Sequence, residues 1–211
     1  DIELPAVQRL FLKKLHEAGK KVVFVNFSGS AMALLPETES CDAILQAWYP
    51  GEDGGTAIAD VLYGDYNPSG KLPVTFYKST SQLPDFKDYS MKGRTYRYMT
   101  EDPLFCFGYG LSYTTFNIGQ AQASKTTLKA SDANDKIVLS IPVANTGKRD
   151  GTEVVQVYIK RTADSQGPRK SLRGFARVNV KAGAEQTAEI TLDIESFECF
   201  DADTNSMRTM K

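Results

Sequence analysis

The hydrophobic period of this chain changes near residue 113, and that change constrains its fold more than any other feature. Ahead of it, helical spacing and unalternating apolar runs take turns. Val7, Leu10, Phe11, Leu15 and Ala18 recur at helical intervals between Pro5 and Gly19, which predicts a helix over residues 6–18. Residues 21–27 (KVVFVNF) are apolar without alternation, as expected of a parallel strand covered on both faces. A short helix stopped by Pro36 is expected over 29–35, and another buried strand over 43–49. Beyond residue 113 the period becomes two. Ile137, Leu139, Ile141 and Val143 fall on alternate positions, as do Val155, Val157 and Ile159, and then Ala188, Ile190, Leu192 and Ile194. The expected fold class is therefore α/β followed by all-β: part of a parallel α/β layer over 1–112, then an antiparallel β-sandwich over 113–211. Five or six strands are legible in the second half where a sandwich has about seven. With the sequence stopping at Lys211, soon after the turn-like run 201–205, the last strand or two are expected to be absent.

Residues 47–76 (AWYPGEDGGTAIADVLYGDYNPSGKLPVTF) carry the densest turn chemistry. Gly51, Gly54 and Gly55 allow positive φ or close backbone approach, and Gly64 stands where a helix would place its C′ glycine. Asn67-Pro68-Ser69-Gly70 is a turn signal, so the segment reads as strand end, glycine turn, short helix, turn and second strand. Glu52 and Asp53 complement the positive end of the helix dipole and would repel an anion there. Without GxxxxGK[ST], the loop is a helix start and not a phosphate cradle.

Bulk composition excludes several classes. With 41% hydrophobic residues, 24% charged and a net charge of −1 over 211 residues, the chain is of globular type and has no basic or acidic field for nucleic acid or an anionic membrane. Its longest apolar run is too short to insert in a bilayer. The start at Asp1-Ile2-Glu3 opens straight into a helix pattern, which suggests a cut or processed chain. Cys41, Cys106 and Cys199 are widely spaced, fit neither a disulfide framework nor a zinc site, and are expected to be buried thiols. No metal or cofactor is expected. The only histidine, His16, reads as a solvated helix residue, and no GxSxG elbow accompanies it. Glu37 and Glu39 are expected as solvated charges in a loop after Pro36.

Residues 77–112 are irregular and aromatic, including Tyr77, Phe86, Tyr89, Tyr96, Tyr98, Phe105, Phe107 and Tyr109. A connection of that length is functional or packed on an interface. Within it, KGRTYRY (92–98) interleaves cations and rings, which suits Arg on aromatic faces, with sugar contact a further option.

Three segments, AWYPGEDGGTAIADVLYGDYNPSGKLPVTF, KGRTYRYM (92–99) and PLFCFGYGLSYTTF (103–116), resemble glycoside hydrolase family 3, and SLRGFARVNV (171–180) is similar to the fibronectin type III-like domain that follows its catalytic unit. KGRTYRYM looks most like bacterial β-xylosidases and β-glucosidases. The resemblance implies a retaining exo-β-glycosidase acting on terminal β-linked glucose or xylose of oligosaccharides, in a periplasmic or secreted setting. It also implies a nucleophilic aspartate on an N-terminal TIM-like barrel and an acid/base glutamate in a loop ahead of the first helix here. Neither motif is present, so no catalytic residue is assigned to any position; this chain would support the barrel and be inactive alone. Arg94, Tyr96 and Arg97 are the residues expected nearest to substrate or to the barrel interface. Cys106 stands where the family commonly has proline, and the family's final strands are not found after Lys211, which leaves an open sheet edge and a dimer through it as an expectation. A non-catalytic carbohydrate-binding or protein-interaction module is the alternative.

Overall fold

The computed structural model describes every residue except 130, 133, 202, 203, 210 and 211. The chain divides into two compact units. One comprises Asp1–Tyr66 and Lys71–Tyr109, the other Asn67–Gly70 and Gly110–Lys211.

In the first unit, helix α1 (Ala6–Glu17), strand β1 (Val23–Asn26), helix α2 (Leu35–Ser40), strand β2 (Ala43–Gln46) and helix α3 (Gly54–Tyr63) follow in order, with β1 and β2 parallel and Val23 opposite Ala43. Leu4, Leu12, Val22, Leu34 and Phe76 form the core, and Leu15, Phe24, Ile44, Trp48 and Phe105 pack on it. The inward face of α1 therefore runs through Leu12 and Leu15. Val7, Leu10 and Phe11 of the expected stripe are 73%, 54% and 63% exposed instead. Val23 and Phe27 are also more than half exposed, so β1 is not covered on both faces by the described residues.

The expected helix stopped by Pro36 is instead a helix that Pro36 opens. α2 begins at Leu35 with the proline in its first turn, where a missing N–H loses no helical bond and a fixed φ favours the helix. Glu37 and Glu39 consequently lie on a helix and not in a loop. Gly64 ends α3 in the left-handed region at φ 84°, and Gly51 turns at φ 76°. At Gly54 a Cβ would come within 2.5 Å of the Pro50 ring, so only glycine permits this approach. Asp53 occupies the N-cap of α3 without a side-chain capping bond. The strand expected at the end of the 47–76 segment is reduced to one bridge, Phe76 with Phe105.

The second unit is antiparallel. Strand β5 (Lys136–Asn145) pairs with β3 (Phe116–Ile118) and β4 (Gln122–Ala123), and with β8 (Glu185–Asp193); β6 (Gly151–Ile159) pairs with β7 (Ser171–Val180). A register shift at Val157/Tyr158 bends the β6–β7 pair. Ile141, Val143, Val155, Val180, Ala188, Ile190 and Leu192 fill the interior, and all but Val180 are residues that the period-two pattern points inward. A further hairpin pairs β9 (Glu198–Asp201) with β10 (Ser206–Thr209). The turn-like run between them falls partly on 202 and 203, outside the described residues.

Asn67–Gly70 forms no hydrogen-bonded turn of its own. Asn67 accepts from the Tyr113 N–H and the Ser112 hydroxyl at Oδ1 and donates to the Asp150 carbonyl. Ser69 accepts from Arg177 at 3.0 Å. One buried amide, Asn145, then joins the loops of this unit. Its Oδ1 accepts from Thr114 at 2.7 Å and from the Gly147 N–H at 3.1 Å. Its Nδ2 donates to the Arg149 and Val180 carbonyls at 2.7 and 2.9 Å.

Candidate functional site

The irregular connection in the first unit contains one 3-10 turn (Thr80–Gln82) and one helical turn, α4 (Thr95–Tyr98). Arg94 is extended at the N-cap of α4 and Thr95 has φ 55°. A β-branched residue in the left-handed region is strained. Thr95 is held there by its N–H donating to the Tyr77 hydroxyl at 3.4 Å, by its Oγ1 accepting from the Arg97 N–H at 3.3 Å, and by its carbonyl accepting from Met99 at 2.9 Å. Met99 is buried and anchors the turn.

The three residues that sequence reasoning singled out lie on this turn, and each goes to a different partner. Arg94 reaches back over the preceding loop and donates to the carbonyls of Ser90, Asp85 and Asp88. Tyr96 stacks on Phe107 with centroids 4.2 Å apart. The Arg97 guanidinium lies over the Tyr98 ring at 5.8 Å, and its buried Nε has no hydrogen-bond acceptor among the described residues. A run of edge and stacked ring contacts, Trp48 to Phe76, Phe76 to Phe105 and Phe105 to Tyr109, supports the connection from below.

The loop ahead of Arg94 is shaped by two aspartates. Asp85 Oδ1 accepts from the Lys87 N–H and Asp88 Oδ1 from the Ser90 N–H, both at 2.8 Å, while the Asp88 N–H returns to the Asp85 carbonyl. The Ser90 backbone N–H, followed by the Ser90 hydroxyl, holds the Asp88 carboxyl below the ordinary aspartate range. Phe86 and Tyr89, between these turns, are 92% and 89% exposed.

The structure also contains a charge cluster that the sequence reading missed. Glu37, expected to be solvated, is fully buried. Its Oε1 accepts from Arg9 Nε at 2.8 Å, and the same guanidinium donates to Glu3 at 3.0 Å and to the Ala33 carbonyl at 3.2 Å. Hydrogen bonding to Glu37 raises the Arg9 pKa above its usual value, and Arg9, then the Thr80 backbone, lower that of Glu3. A carboxylate enclosed and bidentately paired in this way is a structural anion, not a group free to protonate a substrate. Glu39, Glu52 and His16 are exposed. Cys106, expected to be buried, is exposed, while Cys41 and Cys199 are half-buried. Burial, followed by Glu37 and Asp42, raises the Cys41 thiol pKa. Among the described residues no cluster of three His, Cys, Asp or Glu could hold a metal ion, and no helix is long and apolar enough to cross a membrane.

Comparison with known proteins gives this arrangement a family. A profile of the glycosyl hydrolase family 3 C-terminal domain matches residues 1–113, and one of the fibronectin type III-like domain matches 153–211. A xylan 1,4-β-xylosidase of Xylanibacter ruminicola is 62% identical over 208 residues, covering 99% of this chain and 24% of the relative. A periplasmic β-glucosidase of Salmonella typhimurium is 41% identical, covering 94% of this chain and 27% of the relative. Among solved structures, a β-glucosidase from Erythrobacter marinus superposes with a TM-score of 0.82 at 41% identity, over 98% of this chain and 27% of that one. The β-D-glucoside glucohydrolase from Trichoderma reesei superposes with a TM-score of 0.87 at 25% identity, over 100% of this chain and 33% of that one. The chain thus spans roughly a quarter to a third of the length of these relatives. With family-specific sequence over its first half and the appended sandwich over its second, the chain belongs to glycosyl hydrolase family 3 and carries that family's C-terminal and fibronectin type III-like domains.

Proposed function

We propose that this chain serves as the C-terminal, non-catalytic portion of a longer exo-acting β-glycosidase, one that removes terminal β-linked xylose or glucose from oligosaccharides with retention of configuration. The observation that carries this reading is the 62% identity to a xylan 1,4-β-xylosidase of which only 24% is covered. Retention proceeds through a glycosyl-enzyme on one carboxylate, with a second carboxyl acting first as acid and then as base. Both groups are placed on sequence outside this chain. That assignment agrees with the fate of the acids singled out here: Glu37 is neutralised by Arg9, and Glu39 and Glu52 are exposed on helical or turn surfaces.

In this reading residues 1–112 complete the α/β layer and 113–211 form the fibronectin type III-like support. Arg94, Tyr96 and Arg97 are the positions of this chain nearest to the sugar or the barrel. Arg94 acts through the loop it holds, and Arg97 through a guanidinium whose Nε lacks an acceptor among the described residues. The free long edge of β8, which pairs only with β5 among the described residues, is where a second copy would add.

The test is the longer enzyme of the parent gene assayed on 4-nitrophenyl β-xyloside and β-glucoside, with the product anomer followed by proton NMR. Retained configuration on either substrate supports the reading, and inversion or no turnover contradicts it. Light scattering of the same preparation decides the dimer.

A further inference from the structure

Two buried polar atoms have no hydrogen-bond partner among the described residues, the Thr75 hydroxyl and Arg97 Nε, and both belong to the first unit. Thr75 is 6% exposed, so its side chain is more than nine-tenths enclosed. An unpaired buried hydroxyl is costly and an unpaired charged donor more so, and each such atom calls for a partner of its own. Beyond the Tyr98 ring at 5.8 Å, the Arg97 guanidinium has no partner and no ion pair among the described residues.

The fold puts the two atoms on one side of the same extended segment. Phe76 forms an antiparallel bridge, its N–H donating to the Phe105 carbonyl at 2.9 Å and its carbonyl accepting from Leu104 at 2.8 Å. Its ring turns into the core beside Trp48 and Phe105. Alternation then sends Thr75 and Tyr77 to the opposite face. Tyr77 shows where that face leads, because its hydroxyl accepts from the Thr95 N–H at 3.4 Å. Thr95, strained at φ 55°, accepts in turn at Oγ1 from the Arg97 N–H at 3.3 Å. The α4 turn thereby brings Arg97 to the side served by Thr75 and Tyr77, and strain of this kind clusters at binding positions.

The chemistry gathered there is that of donors. Arg97 supplies Nε–H and a positive charge, Thr75 supplies a hydroxyl, and the Tyr77 oxygen, already accepting from Thr95, leaves its proton to give. We propose that Thr75, Tyr77 and Arg97 form a binding site for a carboxylate, with Arg97 Nε and the Thr75 hydroxyl donating to its oxygens. A planar two-oxygen anion of single charge matches one guanidinium and two hydroxyls, whereas a neutral sugar hydroxyl would leave the cation without its counter-charge. The carboxylate is an Asp or Glu side chain of the longer enzyme or a free small acid, and both present the same two oxygens. The site belongs to this chain, so it stands apart from the glycosidase reading.

Acetate is the probe, titrated into the isotope-labelled 211-residue chain at constant ionic strength against chloride, with the Arg97 Nε–H resonance assigned through Arg97→Lys. Acetate should shift that resonance to saturation and slow its exchange with water about tenfold, as a charged hydrogen bond does. Thr75→Val, which keeps the shape and removes the hydroxyl, should weaken acetate about fivefold, and Tyr77→Phe similarly. Acetamide and xylose at the same concentrations should leave the resonance in place. The longer enzyme separates the two sources. If its own Asp or Glu occupies the site, its melting temperature is independent of acetate and falls more in Arg97→Met than that of the chain does. If a free acid occupies it, both melting temperatures rise with acetate and Arg97→Met abolishes the rise. An Arg97 resonance that responds to acetate no more than to acetamide or chloride means that water satisfies both groups, and a response to xylose in place of acetate makes this a sugar contact; either result overturns the carboxylate site. Failure of the glycosidase reading would appear separately, as absent turnover of 4-nitrophenyl β-xyloside and β-glucoside by the wild-type longer enzyme.

Discussion

Replacing Arg9 by methionine should convert Glu37 from a structural anion into a pH-dependent liability. The Glu37 side chain is fully buried, and Arg9 contributes the charged hydrogen bonds at 2.8 and 3.5 Å that compensate it. Breaking such a pair from one side typically costs about 3–5 kcal/mol. Neutralisation sets an independent ceiling. A Glu that titrates near 4.3 when unfolded can always fold protonated, at a cost of about 1.36 kcal/mol per pH unit above that value, or about 4 kcal/mol at pH 7 and about 1 kcal/mol at pH 5. Without the guanidinium a fully buried carboxylate has lost its cation, so proton uptake accompanies folding of the variant. Stability therefore falls as pH rises, opposite to the behaviour of a paired carboxylate. The assay is urea unfolding followed by Trp48, the only tryptophan, which packs edge-on against Phe76 in the core of the first unit. The expected loss is about 3–4 kcal/mol at pH 7, shrinking by roughly 3 kcal/mol at pH 5, and Arg9→Met/Glu37→Leu should recover most of it at pH 7. A loss below about 1 kcal/mol, or one that does not change with pH, would refute the claim that Arg9 is what permits a charge at Glu37.

Three further outcomes are expected. Asn145→Leu strands the Arg149 and Val180 carbonyls and the Gly147 N–H, and should destabilise the second unit by about 3–5 kcal/mol in its circular-dichroism transition while the Trp48 transition stays in place. Glu3, Asp42, Asp88 and Asp193 all have carboxyl pKa values lowered by their partners, Arg9, Lys21, the Ser90 backbone and the Ser196 hydroxyl respectively. Their contribution is complete above the ordinary carboxylate range near pH 4 and is lost as pH falls through the lower folded values, so melting temperatures should be flat from about pH 7 to 5 and decline below about 4. Cys106 should react with Ellman's reagent in a fast phase, while Cys41, half-buried and with its thiol pKa raised by burial, reacts slowly; equal rates would contradict the exposure assigned to Cys106.

The sandwich was legible because strand periodicity and burial are the same fact stated twice: Ile141, Val143, Val155, Ala188, Ile190 and Leu192 point inward along strands long enough to display the alternation. β3, β4 and β10 escaped because two to four residues carry no period. In α1 the sequence offers two apolar faces, one through Val7, Leu10 and Phe11 and one through Leu12 and Leu15. The ion pair of Arg9 with Glu37, 28 positions apart, belongs to the inward face, and no local pattern reveals such a pairing. Pro36 was ambiguous for a related reason, since proline ends one helix and begins another with the same dihedral. Around the candidate site, the cations and rings of 92–98 were visible, but their partners were not. Arg94 is taken up by three backbone carbonyls, and those bonds depend on a left-handed Thr95 that composition does not announce.

We propose that this chain belongs to a β-glycosidase whose catalytic carboxyls lie outside it. The most direct test is the purified 211-residue chain incubated with 4-nitrophenyl β-xyloside and 4-nitrophenyl β-glucoside, beside the longer enzyme at equal molarity. Release at the buffer rate is expected from the chain and catalysed release from the longer enzyme. Turnover by the chain that survives repurification and disappears in Glu37→Gln, Glu39→Gln or Glu52→Gln would place the acid pair here and contradict it.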